Sequence, residues 1–153
     1  MPDRSTQFAT FTVERDIAAP PTTVFRAFAD LDAKRRWFGD PDGGDAAHPL
    51  DFRVGGREHS GDGSYTYDAE YQDIVPDERI IYSYGMTIGG NRISASVATI
   101  VLRPTDAGTH FRLTEQGVFL DGPDTNEARE HGTIELIDAL AASLVGAPAG
   151  ADR

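Results

Sequence analysis

The chain alternates apolar and polar positions over most of its length, and three stretches break that alternation with a helical period. Thr109 to Leu120 runs at period 2, with Phe111, Leu113, Glu115, Gly117 and Phe119 on one face of a strand. Phe8 to Ile17 does the same with Phe11, Val13, Arg15 and Ile17, and ends at Ala18-Ala19-Pro20-Pro21. The two prolines stop a strand and pre-set the first turn of a helix. Val24, Phe25, Phe28 and Leu31 then form the apolar face of a short helix over Thr22–Asp30, and a second short helix follows over about Asp32–Phe38. Further strands are expected at Leu50–Val54, Arg57–Ser60, Ser64–Val75, Arg79–Thr87 and Arg92–Arg103. They are separated by Gly55-Gly56, Gly61-Asp62-Gly63, Pro76-Asp77-Glu78 and Gly89-Gly90-Asn91.

The last element, Asp121 to Gly146, carries Ile134, Ile137, Leu140, Ala141 and Leu144 at helical spacing. The same stripe continues back through Thr133, Glu130 and Asn126, so the helix is apolar in its second half and polar in its first. Such a helix laid on a sheet predicts a core that opens into a pocket. The order is strand, two short helices, six strands in hairpin succession and one long helix. It implies an α+β fold with a seven-stranded, curved antiparallel sheet around the C-terminal helix. A helix of roughly 20 residues spans about 30 Å, enough to cross such a sheet. Gly39–Pro49, rich in glycine and aspartate, is expected to be a mobile loop, and Ala147–Arg153 a frayed tail.

Length and composition narrow the picture. The 153 residues are expected to form one domain, 1–153, with an ordered core over about 8–146. Hydrophobic residues make up 39% of the chain, and none of its apolar runs approaches the roughly 18 residues of a membrane span. The N-terminus lacks the basic start and apolar core of a signal peptide, so the cytoplasm is the expected location. The absence of cysteine excludes disulfides and thiolate metal sites. A net charge of -11 repels phosphate backbones and argues against nucleic-acid partners. The one basic run, Lys34-Arg35-Arg36, reads as a solvated helix end favoured by the helix dipole.

Several motifs resemble the helix-grip superfamily of START, Bet-v-1-type and polyketide-cyclase-like proteins (SRPBCC), in the branch of bacterial relatives of the activator of the 90-kDa heat-shock-protein ATPase. They are Val13 to Pro20 with Val24 to Phe28, Arg36-Trp37-Phe38-Gly39, Asp51 to Gly56, Tyr71 to Ile80, and Thr114-Glu115-Gln116-Gly117 with Glu130-His131-Gly132. The resemblance implies a cofactor-free protein with a cavity between sheet and helix. It also implies that the first strand lies beside the last. The resulting expectation is a protein that binds a small apolar or amphipathic molecule, lipid-like or aromatic, or a stress-related accessory protein. The resemblance leaves two alternatives, a polyketide-cyclase or hydrolase-like enzyme in the same cavity and a co-chaperone-like regulator of an ATPase. A homodimer stays open. In this branch the position after His-Gly is typically tryptophan; here it is Thr133, which either opens volume at the mouth of the core or is compensated by tyrosines.

Among candidate chemical groups, Glu115 has an inward phase, and an inward carboxylate is costly unless paired. Arg15 shares the apolar phase of the first strand, so an Arg15–Glu115 cross-strand pair is expected at the cavity wall, anchoring a ligand or, in an enzyme, supplying Glu115 as acid or base. Tyr65, Tyr67, Tyr71, Tyr82 and Tyr84, with Met86, are expected to line the cavity, because phenols combine apolar area with a hydrogen-bonding tip. Glu130 and Thr133 face them from the helix. Trp37 closes the core at one end and is a candidate gate. His131 reads as a surface histidine, and His48, His59 and His110 have no metal-ligand spacing.

Overall fold

The computed structural model describes residues 4–38, 49–61 and 64–144. The expected mobile loop Gly39–Pro49, except Pro49 itself, and the tail from 147 lie outside these residues. Six strands form one antiparallel sheet: β1 (Thr6–Ile17), β2 (Arg57–Gly61), β3 (Tyr65–Val75), β4 (Arg79–Ile88), β5 (Asn91–Thr105) and β6 (Gly108–Leu120). Their spatial order is β1-β6-β5-β4-β3-β2. Strands β2 to β6 are a meander of hairpins, and β1 pairs with β6 along its whole length, from Thr6 opposite Leu120 to Ile17 opposite Thr109. Helices α1 (Pro21–Ala29) and α2 (Leu31–Lys34) follow β1, and α3 (Asn126–Leu144) ends the described chain.

The sheet has six strands, not the seven expected. Leu50–Val54 contributes only one isolated bridge, Leu50 to Glu58. The Gly55-Gly56 pair does not turn a hairpin. Gly55, with φ of 84°, donates its N–H to the Tyr71 carbonyl at 2.8 Å, while Gly56 donates to Arg53 at 2.7 Å. This tight turn sends Phe52 inward, where its ring lies 4.9 Å from Tyr71 and 5.6 Å from Phe25. Burial of an aromatic side chain outweighs another short ladder of edge hydrogen bonds.

Pro20 and Pro21 start α1 as their fixed φ demands, with Pro21 in the first turn. Its apolar stripe buries Val24, Ala27 and Phe28. Helix α2 is shorter than expected because the Asp30 carboxylate caps it through the Asp32 N–H at 3.2 Å and turns follow Lys34. Helix α3 begins at Asn126, where the expected stripe ends, and not at Asp121, where the last element was expected to start. Asp121 and Gly122 adopt positive φ of 62° and 88°. Thr125 then accepts from the Ala128 N–H at 3.1 Å, as an N-cap should. The core is formed by Val24, Ile80, Ile100, Phe111 and Leu140, all with 0% exposure. Their layer fills the end of the sheet near α1 and leaves the other end for the site.

Candidate functional site

A cavity of about 730 Å³ lies between the sheet and α3. Its sheet side is built from alternate residues of β3, β4 and β6, which point to one face because the strand period is two. Tyr67 comes from β3, Tyr82, Tyr84 and Met86 from β4, and Leu113 and Glu115 from β6. The register explains the grouping: Tyr67 stands opposite Met86, and Glu115 opposite Ala98 of the intervening β5. Small residues at Ala98 and Ser96 leave room above β5 between β4 and β6. Tyr67 and Tyr84 have ring centroids 5.1 Å apart, and Phe38 stands edge-on to Tyr67 at the same separation. The wall is thus a continuous aromatic surface.

The helix side carries Arg129, Thr133 and Ile137, spaced by four residues and all buried. Arg129 is the residue that reading the sequence missed. A single helical period through the apolar positions pointed to Glu130, yet the side chain turned inward is the cation the buried Glu115 needs. The Arg129 Nη1 donates to the Tyr84 hydroxyl at 3.0 Å and lies 3.7 Å from Glu115. Its Nη2 donates to the Ser94 hydroxyl at 2.8 Å and to Asp124 at 2.7 Å. The guanidinium also stacks 5.2 Å from the Phe119 ring. Tyr84 in turn donates its O–H to Glu115. Glu115 is 4% exposed, and burial raises its carboxyl pKa although Tyr84 and Arg129 pull it back down. Burial opposes the charge on Arg129, but Tyr84 and Asp124 outweigh it and hold its pKa above the ordinary value. Burial, followed by the charge on Glu115, pushes the Tyr84 phenol well up, so it stays protonated and donating.

Eight of the eleven expected site residues line this space: Trp37, Tyr65, Tyr67, Tyr82, Tyr84, Met86, Glu115 and Thr133. Tyr65 is 45% exposed and sits at the rim. Thr133 is buried on the helix side and lines the cavity. The Trp37 indole N–H donates to the Ala27 carbonyl at 3.0 Å, and its ring meets Phe28 edge-on at 4.9 Å.

Three residues do not belong to the site. Arg15 stands opposite Phe111, whereas Phe11 stands opposite Glu115. Four strand positions put Arg15 and Glu115 roughly 13 Å apart along the sheet, so the expected pair does not form. Arg15 instead binds Asp138 of α3 at 2.9 Å, at the solvent edge. Glu130 is half-buried but, unlike its neighbour Arg129, does not line the cavity. Tyr71 is 2% exposed but lies outside the cavity, donating its hydroxyl to Glu58 at 2.6 Å. His131 is at the surface, paired with Glu135 at 2.7 Å.

The basic run is also not what its composition implied. Lys34 is 3% exposed, in the cavity wall, and donates to Glu58 at 2.6 Å. Short α2 packs against α1 and the sheet and turns Lys34 inward, where the equally buried Glu58 compensates it. Among the described residues no cluster of histidine, aspartate and glutamate could hold a metal ion. Nor is any described helix long and apolar enough to cross a membrane.

An antiparallel sheet gripping a C-terminal helix over an aromatic cavity defines the helix-grip class. Within it, the chain belongs to the family described as activator of Hsp90 ATPase homolog 1-like proteins, whose model matches residues 18–145. A solved structure of an uncharacterized protein from Rhizobium leguminosarum is 42% identical, with a TM-score of 0.88 over 93% of this chain and 97% of that one. A protein from Rhizobium loti is 49% identical, with a TM-score of 0.84 over 92% and 99% of the two chains. One from Chromobacterium violaceum is 25% identical, with a TM-score of 0.70 over 87% and 94%. None of the curated proteins matches the chain.

Proposed function

We propose that the protein binds a small amphipathic organic molecule in the cavity between β3, β4, β6 and α3, with an aromatic or apolar body and one polar end. The observation that carries this reading is the convergence of an aromatic wall on a single polar cluster, Tyr84, Glu115 and Arg129, inside about 730 Å³. Pockets of about 300–1,000 Å³ with few polar groups suit molecules of this kind. The body of the ligand lies on Tyr67, Tyr82 and Met86. Its polar end meets the Arg129 guanidinium or exchanges hydrogen bonds with Glu115 and Tyr84. Thermal unfolding in the presence of a lipid, aromatic and polyketide library tests the reading. A ligand at a hundred times its Kd adds about 2.7 kcal/mol, a rise of about 5–10 °C for a chain of this length. A library that leaves Tm unchanged throughout overturns it.

A second reading, acid–base catalysis in the same cavity, is favoured by one observation. Glu115 is a buried carboxyl whose pKa is raised by its surroundings and which faces the cavity. In that case Glu115→Gln keeps the fold and removes turnover; a variant of undiminished activity excludes Glu115 from the chemistry.

A further inference from the structure

The cavity wall contains a primary amine that ligand binding alone does not require. Lys34 is the only lysine in the chain, and it is nearly sealed from solvent. Its Nζ lies 2.6 Å from Glu58 Oε1 and 3.5 Å from the Tyr71 hydroxyl, which also donates to Glu58 Oε1. The rings of Phe38 and Trp37 flank it, with centroids 4.8 Å and 6.0 Å away. A lysine kept only to cover apolar surface leaves its ammonium in water. Here the ammonium is inside, and a buried ion pair gives little net stability over an apolar pair of the same volume. Amine, carboxylate and phenol in contact at the edge of a mainly apolar cavity are groups that suit imine formation.

We propose that Lys34 forms a reversible imine with an aldehyde or ketone held in the cavity, so that the ligands of this site include aromatic or apolar carbonyl compounds. The inference rests on the cavity being a ligand site. Lys34 first passes a proton to Glu58, leaving a free amine beside a carboxylic acid. The nitrogen lone pair forms the new C–N bond as the carbonyl π bond breaks onto oxygen, and a proton moves from nitrogen to that oxygen to give a carbinolamine. Glu58 then returns its proton to the hydroxyl, which leaves as water while the C=N bond forms. The product is a protonated imine paired with the regenerated Glu58 carboxylate, so the buried charge balance is the same before and after. Tyr71 holds Glu58 Oε1 in place throughout. Burial lowers the Lys34 pKa, although Glu58 opposes the shift by its charge and hydrogen bond. Each unit of lowering raises the free-base fraction about tenfold at neutral pH.

The sole lysine makes the test direct, because the only other primary amine is the α-amino group. The protein is incubated at neutral pH with 4-methoxybenzaldehyde and sodium cyanoborohydride, and the reduced adduct is placed by peptide mass mapping. Adduct on Lys34, formed faster than on the α-amino group, is the expected result. Lys34→Arg keeps the charge beside Glu58 and abolishes it, and Glu58→Gln slows it several-fold while leaving the amine. Adduct confined to the α-amino group, or formed at Lys34 no faster than there, overturns the inference. That result holds for the unmutated chain whether or not the variants fold. 4-Methoxybenzyl alcohol, which cannot form an imine, separates the two claims through Trp37 fluorescence. If the alcohol binds and Lys34 stays unlabelled, the imine fails and the cavity reading survives. If neither compound binds and Lys34 stays unlabelled, the imine again fails and the cavity loses aromatic compounds of this size as ligands.

Discussion

Arg129→Met tests the electrostatic logic of the site most sharply. The substitution keeps a long apolar stem but removes the cation within 3.7 Å of Glu115 and the donor to Tyr84, Ser94 and Asp124. Glu115 then must either stay charged without a partner or take up a proton. The second route limits the loss: protonating a carboxyl of ordinary pKa at pH 7 costs about 3.4 kcal/mol, at 1.36 kcal/mol per unit. Removal of one partner of a buried pair falls in the same range, about 3–5 kcal/mol. A loss of about 3 kcal/mol at pH 7 is therefore expected, which lowers Tm by about 6–12 °C. The pH dependence follows from the raised pKa of Glu115. The folded state binds that proton more tightly than the unfolded chain, so stability falls as pH rises from the unfolded value through the folded one. Without Arg129 the folded pKa rises further, so the loss should be smaller at pH 5 than at pH 7. Urea unfolding followed by the single tryptophan, Trp37, measures both, and in a Glu115→Gln background the loss should shrink to what the hydrogen bonds to Tyr84, Ser94 and Asp124 contribute. Equal losses in the two backgrounds, or at the two pH values, would refute the coupling.

Other features lead to further tests. His110 is held above its ordinary pKa by the hydrogen bonds it donates to Asp16 and then Glu14. Its contribution is present below about 6.5 and lost as pH rises through the folded value, so a ring-proton titration should give a pKa above that of free histidine and Asp16→Asn should lower it. Leu140→Ala removes a side chain of 0% exposure and should cost about 2–5 kcal/mol in urea unfolding. Gly85→Ala meets only the movable end of the Arg92 side chain, whereas Gly108→Ala meets the Ile17 carbonyl and the Ala19 N–H at φ of 148°. Thermal unfolding should show the first nearly neutral and the second clearly destabilised; the reverse order would contradict the backbone argument.

Much of the fold was legible because period-2 and period-3.6 patterns report burial directly. The Thr109–Leu120 alternation and the Pro20-Pro21 break mapped onto β6 and the start of α1 with little change. The missing strand was not legible, since Gly55-Gly56 permits several turns and only the burial of Phe52 selects one. At the site, the inward phase of Glu115 and of the tyrosines could be read from each strand alone. Its cation could not, because Arg129 and Glu130 are neighbours on the wheel, and which one faces in depends on a carboxylate from another element. Arg15 had the right phase and the wrong register: phase is local, whereas register is set by the whole ladder. Lys34 was hidden for the same reason, as its partner Glu58 lies 24 positions on in a strand whose pairing the local pattern leaves open.

The pairing of β1 with β6 also sets the order in which the protein can be made. Strands β2 to β5 can zip together as each hairpin leaves the ribosome, but β1 waits for a partner roughly 90 residues further along. At about 5–20 residues per second, that wait is roughly 5–20 s. During it the nascent chain carries Phe8, Phe11, Val13 and Ile17 on an unpaired strand, a template for pairing with another chain. The outward Glu14 and Asp16, with Arg15 at the edge, put charges where a stray strand would have to dock. These charges, none of which lines the cavity, guard the first strand until the last arrives.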